Sequence, residues 1–222
     1  MADPKTFHFD LDPTKRPPFA PLDEQWFPGI QDAAIAASAS RIFDPIMGIR
    51  AVVIHATAGS SSAGAASVIF AGNASFHWLV PDENEPQHGQ FVWATCHEAR
   101  AAFHVRNSAS HPAINGGANR VNHYSLGIEV VNAQTAADTY SDWQVEATAR
   151  IVRYCWAKYP NLRHVVSHAK LDPSRRSDPG TNFPWSKFQS QVLAASASAP
   201  PELVTLAESM PVTTGGSCCM DV

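Results

Sequence analysis

The stretch "SHAKLDPSRRSDPG", Ser167 to Gly180, holds His168, the adjacent Arg175 and Arg176, and Asp178. An Asp beside Pro and Gly suits a turn without any further role. His168 is the more pointed neighbour, because it closes the apolar run "HVVSH" with nine residues between it and Asp178. The two would serve one metal ion if a third ligand stood elsewhere. His55 is the candidate. It lies near the end of "IRAVVIHAT", whose β-branched core reads as a buried strand, and a strand end can hold a side chain rigidly. Two histidines and a carboxylate make a catalytic zinc site with a fourth position open to water. Ligand type alone admits iron or manganese as well. Each piece also has a plain reading: a strand His is often a satisfied core residue, Asp178 a turn residue, and the two arginines a solvated surface pair. Glu129 stands in the apolar strand "SLGIEVVN", where a carboxylate is costly to bury without a partner unless that face of the strand meets solvent.

The elements that would position these residues are legible from pattern. Residues 1 to about 45 are rich in Pro and Asp and read as a wrapping extension, with a short helix in "GIQDAAIAASAS". After the His55 strand, "SSSAGAASVIFAG" starts at Ser, is rich in Ala and ends at Gly, which predicts a short capped helix. "ASFHWLVP" and "FVWAT" read as strands on either side of the polar "DENEPQHGQ". The long segment "HVRNSASHPAINGGANRVNHYS" reads as loop, and loops of that length in a compact domain are usually functional or disordered. "SDWQVEATARIVRYCWAKYP" is the clearest helix: Val145, Ala149, Val152 and Trp156 form its apolar face, Ser141 or Asp142 caps it and Pro160 ends it. "HVVSH" predicts a short strand, and "PWSKFQSQVLAAS" a last helix opened by Pro184. No internal repeat is present. Strands interleaved with helices predict a single α/β domain with a central mixed sheet flanked by helices.

Composition bounds the function. The chain has 222 residues, 45% of them hydrophobic and 16% charged, with a formal net charge of -4. That length supports one sizeable core, and the slight acidity argues against nucleic acid as the main partner. No stretch resembles a membrane span. The N-terminus lacks the basic start and apolar run of a secretory signal, so the expected location is cytoplasmic, with release by phage lysis or specialised secretion as the alternative. Cys96, Cys155, Cys218 and Cys219 show neither zinc-finger spacing nor a disulfide framework and read as free thiols in a reducing compartment.

"VVIHATAG", "ASFHWLV", "NHYSLGIEVVN" and "VVSHAKLDPSRRSDPG" followed by "FPW" together resemble the zinc-dependent N-acetylmuramoyl-L-alanine amidase family of type 2. That family includes bacterial enzymes that recycle anhydromuropeptides, phage lysozyme-amidases and peptidoglycan recognition proteins. The resemblance covers about residues 48 to 190, and its motifs occur in the family's order. It implies one zinc ion held by His55, His168 and Asp178, the trio that strand ends and ligand types suggest. Glu129 falls at the family's catalytic glutamate and would act as general base toward the attacking water. Arg176 stands where many relatives carry Lys. It would steady the oxyanion formed at the amide carbonyl but, always protonated, cannot hand over a proton. Phe76 stands where some phage relatives have Tyr, which removes any tyrosine-assisted route.

His77, His104 and Asn122 are the candidate substrate contacts: His77 on a strand near His55, His104 at the cleft rim of relatives, and Asn122 ahead of the Glu129 strand. Arg106 and Arg120, in the long loop, suit stem-peptide carboxylates but equally a solvated loop. His111, His123 and His164 receive no role. The expected organisation is an extension over 1–45, the zinc amidase domain over 46–195 and a tail over 196–222 that reads as disordered, with one helical turn in "PELVTLAES". The expected activity is zinc-dependent hydrolysis of the amide between N-acetylmuramic acid, or its anhydro form, and L-alanine, with peptidoglycan fragments or cell wall as partner. Two alternatives stand beside it: a zinc hydrolase of another amide or ester, and a non-catalytic peptidoglycan-binding module.

Overall fold

Residues 2–194 are described by a computed structural model; the tail, with its expected disorder, helical turn and Cys218–Cys219 pair, lies outside them. Among the described residues nine strands run β1 His8–Asp10, β2 Glu24–Trp26, β3 Ser38–Ser40, β4 Ala51–Ala56, β5 Trp78–Val80, β6 Val92–Ala94, β7 Arg100–Ala102, β8 Ser125–Val130 and β9 His164–Ser167. Seven helices accompany them: α1 Ile30–Ala36, α2 Pro45–Gly48, α3 Ser62–Phe70, α4 Pro112–Asn115, α5 Asp142–Lys158, α6 His168–Leu171 and α7 Trp185–Leu193. Seven of the strands form one mixed sheet in the order β1-β9-β4-β8-β5-β6-β2, and β3 pairs with β7 in a small second ribbon. The expected α/β class with helices against a central mixed sheet is the observed one.

Side-chain alternation along the sheet decides where chemistry can sit. In β4, Val52, Ile54 and Ala56 join the core that contains α5 and α7, while Ala51 and Val53 belong to the core on the opposite face. His55 therefore shares the second face. In β8 the same rule puts Leu126, Ile128 and Val130 against the helices and leaves Ser125, Gly127 and Glu129 on the His55 side. β4 and β8 are parallel, with His55 directly opposite Glu129.

The predicted apolar stripe of α5 is real: Val145, Ala149, Val152 and Trp156 are all buried. Its start is a capping box, in which Ser141 Oγ accepts from Gln144 N–H and Gln144 Oε1 accepts from Ser141 N–H, satisfying two otherwise orphaned donors. Three local expectations change. "HVVSH" is a strand only to Ser167, whose hydroxyl caps the one-turn helix beginning at His168 by accepting from Lys170 N–H at 2.9 Å. The long loop carries short structure of its own, α4 and a 3-10 turn over Val121–Tyr124. The N-terminal extension contains α1 as expected, and it also supplies both edges of the main sheet, β1 antiparallel to β9 and β2 parallel to β6. Strands of three residues are too short for periodicity to reveal. Cys96 and Cys155 are free and buried.

Candidate active site

The segment that carries His168 and Asp178 is folded back on itself. Helix α6 begins at His168, a turn follows in which Arg175 N–H and Arg176 N–H both donate to Asp172 C=O, and Asp178 C=O then accepts from Ala169 N–H at 3.0 Å. The Asp178–Pro179 peptide is cis, and Tyr140 Oη donates to Pro179 C=O at 2.5 Å. This brings Asp178 beside His168, and both beside His55 at the end of β4.

Three ligand atoms converge there. His55 Nδ1 lies 2.9 Å from His168 Nδ1 and 3.3 Å from Asp178 Oδ2, and His168 Nδ1 lies 2.9 Å from Asp178 Oδ2. Tetrahedral donors at about 2.0–2.1 Å from a zinc ion stand about 3.3 Å apart, so the triangle is close to the size a zinc ion would require. All three residues are buried, and together they could hold a metal ion. Burial pushes the His55 imidazole down to about 4, and the neighbouring His168 acts in the same direction. Burial alone would raise Asp178, but the His168 and His55 imidazoles beside it prevail and hold its carboxyl well below the usual range. His55 is thus set as a neutral imidazole and Asp178 as a carboxylate, the protonation a divalent cation needs of these two ligands.

Behind His55 runs a chain that the sequence does not disclose. His55 Nε2 is 3.0 Å from His104 Nδ1, His104 Nε2 is 3.1 Å from Ser125 Oγ, and Ser125 Oγ donates to Val121 C=O at 2.9 Å. Because Ser125 spends its proton on a carbonyl, it must accept from His104 Nε2–H. His104 Nδ1 is then a lone pair and accepts from His55 Nε2–H. His55 Nδ1 is left unprotonated and aimed at the trio, the tautomer a metal ligand must have. Gly127 makes room for this chain: a Cβ there would lie 2.7 Å from His104 Cγ and 2.9 Å from His104 Nδ1. Gly127→Ala is expected to push the His104 ring aside and Ser125→Ala to free its tautomer. Each should weaken zinc binding roughly 10–100-fold, the usual cost of losing an outer-shell partner, in competition with a chromophoric chelator. Unchanged affinity in both variants would refute the relay.

The trio opens onto a cavity of about 300 Å³ lined also by Phe76, His104, Glu129, Gln134, Arg175 and Arg176. Glu129 is partly exposed in it. Burial raises its pKa well above the ordinary carboxylate value, Asp178 adds to that rise and Arg176 opposes it. The Asp178 contribution belongs to the metal-free site, because a bound cation would offset that charge. Of the paired arginines, Arg175 reaches the buried Asp172 at 3.3 Å, where Arg106 also lies at 3.0 Å. Arg176 makes no ion pair among the described residues and lines the cavity.

Residues 45–181 match the family described as N-acetylmuramoyl-L-alanine amidase. The chain belongs to that family. Over 156 residues it is 31% identical to the N-acetylmuramoyl-L-alanine amidase AmiD of Escherichia coli, an alignment covering 66% of this chain and 54% of AmiD. The chain spans about half the length of the curated relatives it matches. Among solved structures, AmpDH3 of Pseudomonas aeruginosa superposes with a TM-score of 0.57 at 26% identity, over 64% of this chain and 59% of that one. AmiD of E. coli, in complex with the substrate anhydro-N-acetylmuramic acid-L-Ala-D-γ-Glu-L-Lys, superposes with a TM-score of 0.53 at 29% identity, over 64% and 57%.

Within this amidase-family fold His77 and Asn122, the other candidate substrate contacts, have their polar atoms engaged by the protein. His77 is buried, with Nδ1 accepting from Gly127 N–H at 2.9 Å. That fixes its other nitrogen as a donor, and Nε2 meets Arg100 C=O at 3.1 Å. Neither nitrogen is left for a substrate. Asn122 is likewise buried and closes on Val105 from both sides, accepting from its N–H at 2.9 Å and donating to its C=O at 2.6 Å. It clamps the long loop. Arg41, which the sequence does not single out, donates to the carbonyls of Glu98, Asn122, His123 and Ser125. Only the packed structure reveals that role, since those acceptors are backbone groups remote in sequence.

Burial pushes His77 down to about 3, with Arg41 beside it acting the same way. In the folded chain it is therefore neutral, whereas the unfolded imidazole takes a proton below about pH 6.5. Its contribution to stability is complete above that pH and is lost as pH falls through the interval toward about 3. Urea midpoints of metal-stripped protein should fall steadily from pH 7 to pH 4.5, and His77→Gln should flatten the slope. A pH-independent midpoint would contradict the assignment.

Proposed function

We propose that this chain is a zinc-dependent amidase that cleaves the bond between the lactyl group of N-acetylmuramic acid, or its anhydro form, and L-alanine. The observation that carries the reading is the buried His55–His168–Asp178 triangle opening onto a cavity that contains Glu129. AmiD, a relative of similar fold, is described with an anhydromuropeptide substrate, which supports the same class of substrate here.

Zinc, held by His55 Nδ1, His168 Nδ1 and Asp178 Oδ2, would supply Lewis acidity to the amide carbonyl and to water. The protein groups do the rest. Glu129, raised in pKa by burial, takes the proton from the attacking water as the oxygen adds to the lactyl carbonyl carbon. The tetrahedral adduct carries negative charge on oxygen, and the Arg176 guanidinium at the cavity rim stabilises it. Arg176 cannot deliver a proton, so Glu129 returns its proton to the departing alanine nitrogen as the C–N bond breaks. The products are a lactyl carboxylate on the sugar and a peptide with a free amino end. Phe76 presents a ring without a hydroxyl to the same cavity.

The substrate is read by mass spectrometry of purified anhydromuropeptides and of intact sacculi, each incubated with the protein. Release of an L-alanine-headed peptide is the expected result, and preference between the two substrates distinguishes recycling in the cytoplasm from lysis of the wall. No release from either, with zinc bound, would overturn the amidase reading in favour of another amide or ester. No release and no zinc would leave a peptidoglycan-binding module.

A further inference from the structure

A second group with the makings of a metal site lies at the sheet edge, away from the cavity. β1 pairs with β9 so that Asp10 stands opposite His164 and His8 opposite Val166. Phe9, between them, is buried and packs against Trp185 and Phe188. That burial fixes the register, and it turns His8 and Asp10 together to the other face, beside His164. His8 Nε2 lies 3.1 Å from Asp10 Oδ1, His164 Nδ1 lies 2.7 Å from the same oxygen, and the two ring nitrogens are 3.4 Å apart.

We infer that His8, Asp10 and His164 form a second binding site for a divalent transition metal ion, of which zinc is the natural probe. Two imidazole nitrogens converge on one carboxylate oxygen, His164 Nδ1 at 2.7 Å and His8 Nε2 at 3.1 Å, and a ring nitrogen that is not spent as a donor offers its lone pair toward the same point. The same three atoms make a good ligand set, with separations of 2.7–3.4 Å against the roughly 3.3 Å of tetrahedral zinc ligands. The buried trio has the same composition and nearly the same triangle. A further donor is close: the His111 ring stands edge-on to His8 with centres 5.7 Å apart, and its buried Nδ1 has no hydrogen-bond partner. Burial holds His8 below its ordinary pKa, and His164 and Lys170 push the same way against Asp10, which favours the neutral ring that a metal requires. The Asp10 side chain is 71% exposed, so an ion can reach the site from solvent. An ion there would clip the short N-terminal strand to β9, the strand that leads into His168.

The test is a zinc titration of the metal-stripped full chain, with stoichiometry from equilibrium dialysis and the histidine ring signals followed by NMR. The ring signals are needed because Cys218 and Cys219 could also take zinc. Expected are shifts of the His8 and His164 ring signals as zinc passes the first equivalent, and one zinc fewer per chain in His8→Ala. Asp10→Asn, which keeps the side-chain size at an exposed position, should lose the same equivalent. Ring signals of His8 and His164 that stay unmoved up to about ten equivalents in the unaltered chain would overturn the inference. So would a stoichiometry unchanged in a folded variant.

Discussion

Asp178→Ala should leave a protein that neither retains zinc through dialysis nor releases peptide from an anhydromuropeptide. Asp178 Oδ2 lies 2.9 Å from His168 Nδ1 and 3.3 Å from His55 Nδ1, and it is the one anion among the three ligand atoms. Without it, two neutral imidazoles remain, and the charge that would balance a divalent cation is gone. The loss should exceed the roughly 10–100-fold that outer-shell changes cost. His168→Ala should behave alike, since it removes a ligand and leaves Asp178 with only His55. Circular dichroism and zinc content together check the result. A folded Asp178→Ala protein that holds stoichiometric zinc and turns over would show that this trio is not the metal centre.

Glu129→Gln should separate chemistry from metal binding. Gln keeps the volume of the side chain and loses only the ability to take a proton, so zinc content should be unchanged. Turnover should fall by about 10²–10⁴-fold, the usual contribution of a positioned general base, with KM moving little. Stability offers an independent check. Burial and the nearby Asp178 both disfavour the ionised Glu129, so folding keeps a carboxylate where it is electrostatically uncomfortable. In metal-free protein at neutral pH the Gln variant should be at least as stable as the unaltered chain, a trade of stability for activity that active sites often show. A Glu129→Gln protein with full turnover would assign the base elsewhere.

How much of this was legible in the sequence follows from the range of the interactions. His55 and Glu129 stand out because each breaks an apolar strand whose period-two alternation puts it on a definite face. His168 and Asp178 stand out because one short segment carries both. The long helix is written in its own cap and stripe. By contrast, the His104–Ser125 relay joins positions 21 residues apart through hydrogen bonds with no local signature. His77, His104 and Asn122 look like substrate contacts in sequence; packing commits their polar atoms to protein partners, while the His104 ring still lines the cavity. The sheet edges, β1 and β2, are too short to carry a period. Consequently the His8–Asp10–His164 cluster, which joins one edge strand to a residue 154 positions away, becomes visible only once β1 is paired.

The most direct test of the central claim is a zinc titration of metal-stripped protein against an anhydro-N-acetylmuramoyl tripeptide, reading the released L-alanine-headed peptide. Expected are no release without zinc, a rise that reaches its plateau at one equivalent bound by the buried trio, and no further gain when more zinc binds. Equal release in the presence and absence of a chelator, or none at any zinc concentration, would contradict it.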